Sequence, residues 1–598
     1  MSTHKYFDKI CVIVIAFAVL ITVVFMNSEA HGIDLIIDED AETHSDQQYF
    51  TANDRKPDYD ISDATVITLD GGSASVSGNG AYAYDGGVVI ANAGVYVLSG
   101  TLDDGSITVD ADSSAKIWIY LNGVNVTCED GAALLVENAD KVFLTLAEGQ
   151  ANMFTSGSEY ETSATEAGID GVIFARDDLT INGAGSLTVA GGPAHGIVAN
   201  DDLVVTGGTI QVTSEGDAVH VNDSLRITNC SMALDAGDDA IAVDNEGGYI
   251  YIESGDFHIS AADEGIAAEG DITIDGGEFE IAVGTDQGCH GIRSGGTVTV
   301  NNGTIDVSSC YEGIQAFYID ITGGDITINS VDDGLNASNG TDSFGMGFGA
   351  GGPGKGQMPE GERPEFGEMP EGEASESGQM PEGERPEFGE MPEEVASESS
   401  NVSAEETEAD TEADTEASWI YISGGTLTIL NDSGRDADGI DSNGDIIISG
   451  GLIRVSLAGS GGNCALDFAS ENGGILQISG GSVIACGSSQ MAEGFDASST
   501  QCSIMYNMQT ETAAGTTLTL CDSDGNELMS YVVPNGFTSA NISCPEMKLG
   551  ETYTIIVGET EETVTLDETS VTCGAAGSSM FGGMNQDGTR SGKPKEVL

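Results

Sequence analysis

The chain is 598 residues long, with 99 Asp and Glu against 18 Lys and Arg, a formal net charge of −81. That excess argues against nucleic acid as a partner, because phosphate backbones are held by basic faces, and it favours cations and polymers reached through cations. Eleven cysteines without CxxC spacing give neither a cysteine zinc site nor a disulfide-rich scaffold.

Taken in chain order, an apolar run from Ile10 to Met26 follows Lys5 and Lys9 and precedes Ser28-Glu29-Ala30. Residues 1–30 therefore read as a secretory signal cleaved after Ala30, or as a single N-terminal membrane anchor. Cys11 lies at the start of the run and not after it, which argues against a lipoprotein, and both readings put the protein outside the cell or on its surface. Residues 31–60 read as a polar stalk.

From residue 61 the chain becomes strand-like, and a ladder of short motifs emerges: Asp217-Ala-Val, Asp239-Ala-Ile, Glu264-Gly-Ile, His290-Gly-Ile, Glu312-Gly-Ile, Asp333-Gly-Leu and Asp438-Gly-Ile. The intervals up to Asp333 are 22, 25, 26, 22 and 21 residues, a solenoid period. Within each interval apolar residues fall at i, i+2, the signature of a half-buried strand. The turn after Asp239 reads Ile241/Val243, Ile250/Ile252 and Phe257/Ile259, and the turn after Glu312 reads Ile314/Ala316, Ile319/Ile321 and Ile326/Ile328. Three strands per turn, with Gly-Gly corners such as Gly276-Gly277, Gly323-Gly324 and Gly424-Gly425, predict an all-β fold. Its form is a right-handed parallel β-helix of roughly a dozen coils, on the order of 60 Å long.

Residues 61–338 form the first part of this coil, and residues 339–418 interrupt it. The interruption carries the run Gln357–Glu371, repeated from Gln379 to Glu393, and then an acidic Thr/Glu/Ala/Asp stretch. With 22 acidic and 3 basic residues and few aliphatics it reads as disordered. Removing 340–418 shortens the 105-residue gap between Asp333 and Asp438 to 26 residues, one ordinary turn. The segment is therefore an insert in one coil. The coil continues over 419–505, a small β cap occupies 506–573, and 574–598 reads as a disordered tail.

Stacked coils bring the motif acids into vertical register about 4.8 Å apart, where like charges repel by roughly 1–3.5 kcal/mol per pair. Calcium takes carboxylate oxygens at about 2.3–2.6 Å and spans such a gap. The candidate metal ligands are Asp238, Asp239, Asp263, Glu264, Asp332, Asp333, Asp436, Asp438 and Asp441. The competing structural reading has these acids cap turns by accepting backbone N–H bonds. A second constellation faces outward on second strands: Trp419 and Tyr421 beside Tyr318, with Tyr249/Tyr251 and Trp118/Tyr120 repeating the pattern on other turns. Flat aromatic faces suit sugar rings, or they pack beneath neighbouring segments. Arg293 is added as a cation for an acidic ligand.

The run from Ala93 to Gly105, the Asp-Gly-Ile and Ile-Ser-Gly-Gly turns, Asp332-Asp333-Gly-Leu-Asn336-Ala, and Asp438-Gly-Ile-Asp-Ser-Asn-Gly444 resemble the secreted bacterial carbohydrate-binding β-helix family. The resemblance covers about residues 61–570 apart from the insert. It implies a pectate-lyase-like fold, bound calcium, and affinity for cellulose and acidic plant-wall polysaccharide such as pectin or polygalacturonate.

An enzyme is the alternative, either a calcium-dependent polysaccharide lyase or a polygalacturonase-like hydrolase. A lyase needs a base beside calcium-bound uronate, yet Lys141, Arg226, Arg293 and Arg454 fall on different strands or turns. Gly237-Asp-Asp-Ala-Ile-Ala-Val243 and His290-Gly-Ile-Arg293 resemble two polygalacturonase motifs but stand two turns apart, and His195 and His290 occupy ordinary ladder positions. The expected protein is thus a monomeric, non-catalytic binder of calcium and polysaccharide. A surface stalk or adhesin is a third reading.

Overall fold

Ile241 and Val243, Ile250 and Ile252, and Phe257 and Ile259 all point inward, each less than 5% exposed. They belong to the strands Ile241–Val243, Tyr249–Ile252 and Asp256–Ala261, which pair in parallel with Ile266–Ala268, Ile272–Ile274 and Glu278–Ala282 of the next turn. Each strand therefore bonds to the third strand after it, and the chain coils with three strands per turn. Like residues stack in the core: Phe257 and Phe279 lie face to face, centroids 4.6 Å apart. Full burial of each such side chain contributes roughly 1.5–3 kcal/mol.

This is a computed structural model, and it describes residues 49–338, 417–431, 437–459, 461–470 and 473–575. The expected signal or anchor, most of the stalk, nearly all of the insert, Asp436 and nearly all of the C-terminal tail lie outside the described residues. The chain divides into two units, Met1–Asn339 with Ser418–Leu598, and Gly340–Ala417. The coil belongs to the first of these. Among the described residues the protein is nearly all β, with one short helix, Thr162–Glu166.

Three ladders of strands run through the coil. The first strands of each turn form a 14-stranded sheet, while the second and third ladders belong to one 29-stranded sheet. At the corner between the second and third ladders, Gly425 has φ +76°, and a Cβ there would lie 2.7 Å from the Gly323 carbonyl carbon and the Gly324 oxygen. Only glycine meets both demands, the positive φ and the close approach of the turn below.

The coil continues across the insert. Tyr318–Ile321 pairs with Trp419–Ile422, and Leu335–Ala337 pairs with Ile440–Ser442. Beyond the coil, Thr516–Cys521, Glu527–Val533, Thr552–Val557 and Thr560–Thr565 form a four-stranded antiparallel sheet with its own apolar cluster. Ser539–Ser543 pairs antiparallel with Ser482–Gly487, so the carboxyl-terminal edge of the third ladder is covered. The other end closes with two antiparallel hairpins, Thr65–Gly71 with Ser73–Ser77 and Ala81–Tyr84 with Gly87–Ile90.

Residues 49–60, expected at the end of a polar stalk, lie along the second ladder. Tyr49 stacks on Tyr251 at 3.6 Å, Phe50 packs against Val204 and Tyr251, and Tyr59 meets Tyr120 edge-on. Asp54 is fully buried, accepting from Thr180 Oγ1 at 2.8 Å and pairing with Lys141 Nζ at 3.1 Å. The polar composition of this stretch hid three aromatics whose docking partners lie far along the chain.

The described cysteines form no disulfide, and nine of these ten are buried. Cys289 and Cys310, adjacent in the ladder, each turn the thiol toward a backbone carbonyl, of Ala262 and Asn329.

Candidate functional site: a carboxylate column on the first ladder

The motif residues stand at or just before the start of successive first-ladder strands, and five of them, His195, Asp217, Asp239, Asp333 and Asp438, hand a side-chain acceptor to the turn above. His195 Nδ1 accepts the Asp217 N–H at 3.0 Å, Asp217 Oδ1 that of Asp239 at 3.1 Å, and Asp239 Oδ1 that of Glu264 at 2.9 Å. Past the insert the pattern resumes, with Asp333 Oδ1 accepting from Asp438 N at 2.7 Å and Asp438 Oδ1 from Cys464 N at 2.6 Å. The residue after the acid is small because the next turn's carbonyl sits there: a Cβ on Gly313 would lie 2.3 Å from the Gly334 oxygen. The turn-capping role is therefore real for one oxygen of each of these aspartates.

The carboxylates also gather in groups. Ligand atoms of Asp238, Asp239 and Asp263 lie within 4.8 Å of one another, as do those of Glu312, Asp332 and Asp333, and those of Asp438, Asp441 and Asp467. Glu264 joins the first group through Asp239. Asp436 falls outside the described residues.

Two ligands in these groups escaped the sequence reading, Glu312 and Asp467. Both were signalled by spacing, since Glu312 precedes Asp333 by one turn and Asp467 follows Asp441 by the 26 residues that separate Asp438 from Cys464. The strand register makes the second case plain. Three residues after the motif runs a parallel column in which Arg293 pairs with Gln315, Gln315 with Asn336, Asn336 with Asp441, and Asp441 with Asp467.

Crowding shows in the protonation. Burial and the neighbouring carboxyl of Glu264, with Asp217 behind, push Asp239 up to about 9. Burial and the charges of Asp441, Asp438, Asp332 and Glu312 hold Asp333 well above the ordinary carboxylate range. At neutral pH Asp239 stays protonated unless a cation neutralises it, and the same crowding drives Asp333 in that direction. The donors present suit a hard ion. On the strand beside them Asn336, 4% exposed and in register with Asp441, has an amide Oδ1 with no hydrogen-bond partner. Calcium takes six to eight such oxygens and, when bound, supplies positive charge between turns and coordination positions for a ligand's oxygens. The all-carboxylate groups Glu312, Asp332 and Asp333, and Asp438, Asp441 and Asp467, fit it in donor type.

The aromatic constellation divides. Tyr318 and Trp419 stack at 4.8 Å with their planes 25° apart, and Phe317 meets Tyr318 edge-on. Tyr421 follows on the same strand, its hydroxyl accepting from Ser449 Oγ at 2.9 Å. The other two aromatic pairs make contacts with neighbouring aromatics: Tyr251 is buried against Tyr49, while Trp118 stacks on Phe143 and Tyr120 faces Tyr59, both half-buried. Tyr318, Trp419 and Tyr421 stand on the second ladder and the carboxylates on the first, so the structure does not merge them into one site. Arg293 is on the first ladder, one third exposed, with Nη1 3.5 Å from Glu269 Oε1.

The basic residues that a lyase would need are dispersed. Lys141 is buried against Asp54, Arg226 pairs with Asp202 on the second ladder, and Arg454 lies over the Tyr531 ring from the third.

Comparison with known proteins places the chain in a family. Residues 84–338 match the family model described as "Carbohydrate-binding domain-containing protein". A carbohydrate-binding domain-containing protein of Acetivibrio thermocellus is 34% identical over 211 residues, which cover 34% of this chain and 74% of that protein. A solved structure of a polysaccharide lyase-like protein from C. thermocellum is 27% identical, covers 46% of this chain and 98% of its own, and superposes with a TM-score of 0.32. On the strength of the Acetivibrio relative, this chain belongs to the carbohydrate-binding domain-containing protein family.

Proposed function

We propose that this protein is a non-catalytic, calcium-dependent binder of polysaccharide, acting at the cell surface or outside the cell. Its scaffold is a right-handed β-helix of roughly a dozen turns. Family membership supports a carbohydrate ligand. The observation that carries the calcium reading is the gathering of Glu312, Asp332 and Asp333, and of Asp438, Asp441 and Asp467, each group within 4.8 Å, beside the unpartnered buried Oδ1 of Asn336. A chain of charge −81 meets an anionic glycan only when divalent ions join carboxylates from both sides. Acidic pectin-type polymers are thus the ligands that the carboxylate column favours, with Arg293 as a cation for a uronate carboxylate. The stacked pair Tyr318 and Trp419, with Tyr421, offers a separate platform for the apolar faces of sugar rings, as in cellulose.

The test is a polysaccharide array run with calcium and with chelator, together with ultraviolet absorbance of the glycan. Calcium-dependent retention of polygalacturonate without new unsaturated uronate supports the reading. Chain shortening, or retention indifferent to chelator, defeats it.

A further inference from the structure

On the amino-terminal part of the same column, the chemistry changes. His195, Asp217 and His220 each offer one ligand atom, all within 4.8 Å of one another. His195 and Asp217 hold the motif position on successive turns, and His220 lies in the column three residues on. The two imidazoles stack with centroids 4.6 Å apart. Both Nδ1 atoms converge on Asp217 Oδ2, at 3.1 Å from His195 and 2.8 Å from His220. Asp217 Oδ1 is committed elsewhere, to the Asp239 amide. The site is secluded but reachable, with side-chain exposures of 19% for each histidine and 8% for the aspartate.

We propose that His195, Asp217 and His220 form a binding site for a borderline divalent metal ion such as zinc, distinct from the all-oxygen calcium clusters further along the column. Calcium selects oxygen, whereas imidazole suits zinc, cobalt, nickel and copper. Ligands on a tetrahedral zinc stand roughly 3.3 Å apart, so the two nitrogen–oxygen distances to Asp217 Oδ2 open by only a few tenths of an ångström.

The protons balance. His195 Nδ1 already acts as an acceptor, so its lone pair is available without deprotonation, and the metal takes it over from the Asp217 amide. His220 Nδ1 gives up the proton it shares with Asp217 and re-protonates at Nε2, which faces Asp244 Oδ2 at 3.8 Å. A carboxylate behind a metal-bound imidazole is the usual outer partner that fixes the tautomer. Burial disfavours the protonated form of His220, but the Asp217 hydrogen bond and the charges of Asp244, Asp217 and Asp170 outweigh it and raise its pKa, so acid competes with metal. Three protein ligands leave a position for water or for an oxygen of a bound ligand.

The experiment uses the full chain stripped with chelator. Zinc is titrated calorimetrically at pH 7.5 and at pH 5.5, and cobalt(II) is added to read the ligand set from its visible spectrum. The expected result is one equivalent of zinc, weaker at the lower pH, and a nitrogen–oxygen cobalt spectrum. His220→Gln should abolish tight binding, and Asp244→Asn should weaken it about tenfold. Asp333→Asn should leave zinc untouched, and His220→Gln should leave calcium untouched, so failure of this site is distinguishable from failure of the calcium reading. The proposal is overturned if wild-type protein binds no zinc, if cobalt shows thiolate charge transfer, or if folded His220→Gln binds zinc as wild type does. Should His220→Gln not fold, the wild-type cobalt spectrum and Asp244→Asn decide the matter.

Discussion

Asp333 Oδ1 accepts the N–H of Asp438 at 2.7 Å, although 105 residues separate the two in sequence. This bond is one rung of the same capping chain that joins Asp217 to Asp239 and Asp239 to Glu264 at separations of 22 and 25 residues. The coil therefore treats the inserted segment as if it were absent, and one aspartate serves two purposes, a cap on the Asp438 amide and a place in the carboxylate group with Glu312 and Asp332.

Those two purposes separate by mutation. Asp333→Asn keeps an oxygen for the Asp438 amide and removes a crowded charge, so metal-free stability should hold or rise while calcium affinity falls at least tenfold. Asp333→Ala loses both, leaving a buried amide without its acceptor at a cost of about 1–3 kcal/mol. Chemical denaturation with and without calcium, read beside calcium calorimetry, checks the pair; equal losses in both variants would contradict the assignment.

The pH dependence originates at Asp239. Burial and Glu264 raise its folded pKa to about 9, far above that of an unfolded aspartate. A raised acid pKa means the native state holds its proton more tightly, so the stabilisation is complete below about pH 4 and declines as pH rises toward 9. Melting temperatures in chelator should fall across that window, and calcium or Glu264→Gln should flatten the slope. A melting temperature that rises from pH 5 to pH 9 in chelator runs against the cluster.

Removing residues 340–416 should leave the coil folded. The flanking ends already meet, since Ser418 Oγ donates to the Ala337 carbonyl at 2.7 Å and Ser338 N bonds to Ala316 O at 3.0 Å. Circular dichroism of the deletion should match the parent in β content, with a melting shift within about 4 °C, the equivalent of roughly 1 kcal/mol. Cooperative unfolding lost in the deletion would show that the segment supports the fold.

Trp419→Ala and Trp118→Ala discriminate display from packing. Trp419 offers its stack with Tyr318 at a half-exposed position, and its loss should weaken glycan retention by about 0.5–1.5 kcal/mol. Trp118 is stacked on Phe143, so its loss should destabilise the protein and leave glycan affinity unchanged once the variant is folded. Affinity electrophoresis and thermal melts, done together, read both arms.

Much of the architecture was legible because it is periodic. The inward pairs Ile250/Ile252 and Ile319/Ile321, the corner at Gly424-Gly425, and the continuity from Asp333 to Asp438 all follow from a strand period of two nested in a turn of about two dozen residues. The docking of Tyr49, Phe50 and Asp54 on the second ladder was not legible. Nothing local marks a segment whose stacking partner, Tyr251, lies some 200 residues on.

The sequence by itself determined the coil, since alternation and repeat leave a polar, acidic chain only one way to bury its aliphatic pairs, and it determined which edge would carry the acids. The tertiary structure decided which atoms converge. Asp467 beside Asp441, Asn336 turned toward Asp441's turn, and two histidines around Asp217 are neighbours only because successive turns stack in register, bringing together side chains whose approach the linear order leaves undetermined.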